Sequence, residues 1–154
     1  MSQRAAYETI AAAGMKALGG VYMYVSRCGL EKSLVDLVYL RASQINGCAY
    51  CIESHSHDLL KEGVSIDKIL LVSAWREAGA HFSEREQAAL AWAEVVTNVA
   101  TTNVPDADYE AAVAVFGEKA LADLTIAIGL INTYNRVAIS FRKTPESVKA
   151  LASA

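Results

Sequence analysis

Proline is almost missing from this chain. Its 154 residues contain two, Pro105 and Pro145, and both stand where a helix would begin, so neither interrupts an element and no proline-rich linker divides the sequence. Runs of alternating apolar and polar residues are missing too, which leaves no basis for strands. No basic block occurs, and the net charge of −3 with a pI near 5.6 argues against nucleic acid as a partner. The stretch Met1 to Glu8 lacks the apolar core of a signal peptide. The most apolar stretch, Leu121 to Ile139, carries Asp123, Asn132, Asn135 and Arg136, which is wrong for a membrane span. The expectation is therefore a soluble, cytoplasmic protein without membrane contact. In that reducing setting a cysteine pair serves metal binding or catalysis more readily than structural bridging.

What is present reads as helix. The length suits one domain, residues 1–154, with a core that needs no covalent staples. Counting glycine in place of tyrosine, the apolar share is about 54%, above the ordinary range of about 45–50%. The surplus hints at surface buried between subunits. The first helix is expected over Ala5–Arg27, interrupted at Gly19-Gly20 and stopped by Gly29. The next runs from Glu31 to Gln44 and ends at the turn pair Asn46-Gly47. Another spans Cys48 to Glu62 with Gly63 as its stop, and Ser65 caps one through Arg76. Ser83-Glu84-Arg85-Glu86 is a capping box opening a further helix. One more runs from Pro105 or Asp106 to Phe116-Gly117, and the last long one from Lys119 to Phe141. The fold class is all-α, a single-domain bundle of about six to seven helices.

The segment Cys48-Ala49-Tyr50-Cys51-Ile52-Glu53-Ser54-His55 carries the chemistry. At about 100° per residue, Cys51 lies roughly 60° from Cys48, and His55 about 20° from Cys48 and 40° from Cys51. Two thiols and an imidazole thus share one helix face. Thiols three residues apart can close a disulfide, and the imidazole can take or give the proton. Gly47 ends the preceding helix, so Cys48 meets the free N–H groups and positive dipole of a new one, which favour a thiolate. Upstream, Asp36 sits in the apolar run Leu34-Val35-Asp36-Leu37-Val38 on an inward stripe with Leu40 and Ser43. A carboxylate there needs a partner, and an imidazole would serve.

These residues resemble the alkylhydroperoxidase D-like group of the carboxymuconolactone decarboxylase superfamily, whose signature is Glu-x11-Cys-x2-Cys-x3-His. Cys48, Cys51 and His55 match it directly, and Tyr39-Leu40-Arg41-Ala42-Ser43-Gln44-Ile45-Asn46-Gly47 leads into it as in a typical member. Ser73-Ala74-Trp75-Arg76-Glu77-Ala78, Ala89-Leu90-Ala91-Trp92-Ala93-Glu94 and Ile131-Asn132-Thr133-Tyr134-Asn135-Arg136 continue the likeness, which is strongest over residues 20–142. One position departs: the family glutamate is Asp36 here, one methylene shorter. The resemblance implies an antioxidant, thiol-dependent peroxidase that reduces alkyl or hydrogen peroxides through Cys48 and Cys51, with His55 and Asp36 as proton relay. Its partners would be a hydroperoxide and, as reductant, a dithiol protein or a small thiol, with no cofactor and no metal. Related chains assemble as dimers, trimers or hexamers, and a trimer or hexamer is the expectation here.

Other readings of the same residues remain. The pair could act as a non-peroxidatic disulfide oxidoreductase, or could bind a metal or small ligand without turning over. A zinc site would recruit His55 and His57, but His57 lies about 160° around the helix from His55. Decarboxylation, known in other branches, goes with the absence of the cysteine pair. Proximity to His55 favours Cys51 as the attacking thiol, whereas the helix end favours Cys48. His57 and His81 read as exposed, Cys28 as a free structural thiol, and Trp75, Trp92, Tyr22 and Tyr24 as core or interface residues. Tyr50 lies between the cysteines, where it could shape access.

Overall fold

Helix α3 (Lys32–Asn46) is covered on every side, with residues 34–40 all buried. In a computed structural model describing residues 3–152, Leu34 and Val38 meet Trp92, Leu124 and Ile128. Leu37 and Leu40 meet Leu59, Trp75 and Leu90. Val35, Tyr39 and Ala42 meet Val25, Ala127 and Ile131. These three sets repeat at three- and four-residue spacing, so α3 is the axis of the bundle. Around it lie α2 (Ala12–Val25), α4 (Ala49–Lys61), α5 (Ile66–Leu71), α6 (Glu84–Thr97) and α8 (Asp106–Phe141). Short helices α1 (Tyr7–Ile10), α7 (Val99–Thr102) and α9 (Glu146–Ala152) complete it. The described residues contain no strand, and none of their helices is long and apolar enough to cross a membrane.

Local chemistry sets the boundaries. Ser83 accepts the Glu86 N–H while the Glu86 carboxylate accepts the Ser83 N–H, the reciprocal cap that starts α6. Gly117, at φ 72° and ψ 162°, breaks the α8 run where the sequence places a stop. Two boundaries differ from expectation. The N-terminal helix runs straight through Gly19-Gly20 and is interrupted at Ala11 instead. There Tyr7 turns inward, its ring 5.3 Å from that of Phe141. The helix capped by Ser65 tightens after Leu71 into a 3₁₀ turn, Val72–Glu77, in which Trp75 is drawn onto Glu94 by a 3.0 Å hydrogen bond.

Among the longer helices, α2 is the least buried. Only Val25 of its 14 residues is buried, and Tyr22, Met23 and Tyr24 stay close to half exposed. Trp75 and Trp92 are core residues as expected, whereas Tyr22 and Tyr24 are not core in the single chain.

Candidate active site

The cysteine pair sits on a corner built by one glycine. Gly47 takes a left-handed conformation (φ 71°, ψ 33°), its N–H reaching Gln44 O and the Cys48 N–H reaching Ser43 O at 3.0 Å. This pair of bonds is the Schellman closure of α3. It leaves Cys48 as the N-cap of α4, with its Sγ accepting the Cys51 N–H at 3.4 Å. Cys48 and Cys51 are joined as a disulfide, their Cα atoms 5.3 Å apart, and both are nearly fully buried.

A network that sequence reasoning missed braces this corner. Asn46, the last residue of α3, donates to the side-chain oxygens of Asn132 and Asn135 at 2.9 Å each. Asn135 in turn donates to Ser43, and Asn132 to Thr97. Three helices, α3, α6 and α8, are thereby tied at the point where the chain turns into Cys48. The signal available was the pair of asparagines in an otherwise apolar stretch, and buried amides without partners would be costly.

Asp36 and His55 are brought together as expected. His55 Nδ1 lies 3.6 Å from Asp36 Oδ1, an ion-pair contact too long for a full hydrogen bond. Lys32, four residues before Asp36, places its ammonium 2.5 Å from Oδ2 and also bonds Glu62 at the end of α4. Burial by itself would raise the Asp36 pKa. The imidazole and the ammonium outweigh it and hold the carboxyl below its ordinary value. The Tyr39 ring stands 5.0 Å from the imidazole, and burial pushes its phenol well up.

The two sulfurs face different spaces. Cys51 lines a cavity of about 220 Å³ with His55, Tyr134 and Ile131. Cys48 lines a groove of about 780 Å³ with Arg4, Arg142 and Lys143. Tyr50, Ala138 and Lys143 line both and form the partition. Lys143 lies 4.3 Å over the Tyr50 ring and pairs with Glu8 at 3.0 Å. Glu53 anchors the far rim by accepting the N–H groups of Glu146 and Ser147.

One His/carboxylate group in the described residues has ligand atoms within 4.8 Å of one another: Asp36, His55 and Asp58. Neither cysteine belongs to it, and an ion there would share the Asp36 carboxylate with the Lys32 ammonium. His57 and His81 are exposed. Cys28 is free, its thiol donating to Val25 O at 3.0 Å.

Comparison with known proteins agrees with this geometry. The family described as "Carboxymuconolactone decarboxylase family" matches residues 10–95. YdfG of Bacillus subtilis, an uncharacterized protein, is 35% identical over 140 residues, covering 91% of this chain and 95% of its own. The crystal structure of ATU0492 from Agrobacterium tumefaciens, of unknown function and suggested to be the antioxidant defence protein AhpD, superposes with a TM-score of 0.90. That structure is 38% identical, with 94% of this chain and 98% of that one covered. Alkyl hydroperoxide reductase AhpD of Nocardia farcinica is 44% identical over 41 residues, 27% of this chain and 23% of its own. The chain belongs to the carboxymuconolactone decarboxylase family, in its alkylhydroperoxidase D-like group.

Proposed function

We propose that this protein is a thiol-dependent peroxidase reducing alkyl or hydrogen peroxides through Cys48 and Cys51. The observation that carries the reading is the shared cavity of Cys51 and His55, with Asp36 behind the imidazole. In the reduced protein the Cys51 thiolate attacks the peroxide O–O bond, releasing alcohol or water and becoming a sulfenic acid. The Cys48 thiol condenses with it, water leaves, and the disulfide forms. A reductant, either a dithiol protein or a small thiol used twice, then restores both thiols. His55 moves the proton, favouring the Cys51 thiolate before attack and supplying the departing oxygen during it. Asp36 steadies the imidazolium by its charge. Its side chain is one methylene shorter than the family glutamate, which accounts for the 3.6 Å gap.

The assignment of Cys51 as attacker rests on its neighbours. Cys48 already uses its sulfur to cap the Cys51 N–H, a geometry suited to a thiol that waits to resolve. Consumption of hydroperoxide by the reduced protein with a dithiol donor tests the reading. Disulfide exchange without peroxide consumption would replace it with a non-peroxidatic oxidoreductase.

The Asp36, His55 and Asp58 group supports a second reading, a metal-binding protein whose cysteines do not turn over. Stoichiometric metal resistant to chelation, together with inert thiols, would establish it. Assembly into a trimer or hexamer is also proposed, supported by the exposed apolar side chains of α2 and the apolar surplus of the chain. A monomer at micromolar concentration by light scattering would contradict it.

A further inference from the structure

The groove beside Cys48 differs in charge from the rest of the molecule. The chain carries a net charge of −3, yet this groove is lined by Arg4, Arg142 and Lys143 and by no aspartate or glutamate. Lys143 is neutralised by Glu8 at 3.0 Å. Arg4 and Arg142 face no carboxylate among the described residues. Arg4 is held to the end of α8, its N–H on Phe141 O and its Nη1 on Ser140 O at 3.0 Å. Arg142 closes α8 in a left-handed conformation, φ 53° and ψ 53°. Two guanidinium groups with unused donors thus flank a space that ends at a disulfide sulfur. Guanidinium is the side-chain group best shaped to hold a carboxylate in a bidentate manner.

We infer that this groove admits the reductant, and that the reductant is a small thiol bearing a carboxylate. The inference rests on the proposed cycling of the Cys48–Cys51 disulfide. Cys48 is only 2% exposed, so a slender molecule reaches its sulfur where a folded protein surface does not. The reductant thiolate attacks Cys48 Sγ while its carboxylate rests on Arg4 and Arg142. A bond forms between the reductant sulfur and Cys48, and the Cys48–Cys51 bond breaks. Cys51 leaves as a thiolate on the His55 side and takes up the proton lost by the reductant. A second reductant thiol then attacks the first reductant sulfur and releases Cys48. Two reductant thiols become one disulfide, and the protein disulfide becomes two thiols. The two cysteines are thereby served from opposite sides, peroxide through the cavity at Cys51 and reductant through the groove at Cys48.

The test uses the oxidised full chain without peroxide. Reduction rates are measured with 3-mercaptopropionate, 2-mercaptoethanol and cysteamine, which carry negative, zero and positive charge beside the thiol. Each rate is normalised by thiolate concentration and by the same thiol's rate on a small neutral disulfide. The anionic thiol should exceed the cationic one by about tenfold at low salt, and the ratio should fall as salt rises. Arg142→Gln should reduce the ratio and Arg142→Glu should invert it. Arg4→Gln provides a second variant, and the exposed Arg27→Gln should keep the wild-type ratio. A ratio near one in the native protein, or one untouched by R142E, would overturn the inference, as would an equal drop in R27Q. A disulfide that no thiol reduces would overturn it together with the cycling on which it rests. A clear charge preference in a protein that consumes no peroxide would refute the peroxidase reading and leave this inference standing.

Discussion

The two sides of the Cys48–Cys51 disulfide are built from different materials. On the Cys51 side stand an imidazole, aromatic rings and a carboxylate that an ammonium and the imidazole together keep charged. The Cys48 side is more than three times as roomy, about 780 Å³ against 220 Å³, and is lined by three cations, of which Arg4 and Arg142 face no carboxylate among the described residues. One side offers a proton path in confinement and the other offers charge and access. Symmetric thiols three residues apart become chemically distinct because helix α4 turns them toward different neighbours. The comparison also separates the residues that set reactivity from those that set the approach of a partner.

The sharpest way to break it is to remove one sulfur at a time. Cys51→Ser should abolish peroxide consumption. Cys48→Ser should still react once, leaving a sulfenic acid that dimedone traps and mass spectrometry detects. If Cys48→Ser is inert and Cys51→Ser forms the sulfenic acid, the two sides exchange roles.

Next in size is the carboxylate behind His55. Asp36→Ala should slow turnover by at least about tenfold, since single acid–base contributions are about 10²–10⁴-fold. Asp36→Glu should retain activity by restoring the usual family residue. An unchanged kcat/KM and an unchanged thiol pKa in Asp36→Ala would make Asp36 a structural carboxylate.

A smaller effect concerns the corner that orients both sulfurs. Gly47→Ala forces a side chain into the left-handed region at a cost of about 1–2 kcal/mol. The midpoint of denaturant unfolding should fall accordingly, and a midpoint equal to the native one would show that the corner tolerates a side chain.

The smallest effect is on stability against pH. The folded Asp36 carboxyl titrates below its ordinary value, so its contribution is fully present above the usual carboxylate range near pH 4 and is lost as pH falls through the lower folded value. The Asp36→Asn variant should therefore lose less stability than the native chain as the pH is taken below about 4. Parallel acid-unfolding curves for the two proteins would contradict this.

Much of this site is legible in the sequence because its members lie close along it. Helical spacing alone brings Cys48, Cys51 and His55 to one face, and Gly47 announces the turn before them. Asp36 is legible as a charge in an apolar run that must find a partner. Lys32 was within reach of the same logic, four residues before Asp36 on the same helix face. Arg4, Arg142 and Lys143 were not, because they reach the groove only when the ends of the described chain meet across α8. Asp58 points toward Asp36 through the angle between α3 and α4, which no periodicity encodes.

The fold divides in the same way. Caps at Ser83 and Gly47 and the break at Gly117 are local chemistry and read correctly. The interruption at Ala11 and the 3₁₀ turn around Trp75 follow from distant partners, Phe141 and Glu94. Gly19-Gly20 misled because glycine costs a helix only about 1 kcal/mol per residue, less than a continuous helix recovers. Apolar composition alone does not say what covers α2, which is as apolar as a core helix and lies open in the single chain.

The central claim is that Cys48 and Cys51 cycle between thiols and disulfide at the expense of a hydroperoxide. The direct measurement is the intact mass of the reduced protein before and after one equivalent of alkyl hydroperoxide, with peptide mapping of residues 48–51. The account predicts a loss of about two daltons confined to that peptide, regained on reduction. Two thiols still free after the peroxide has been offered would contradict it.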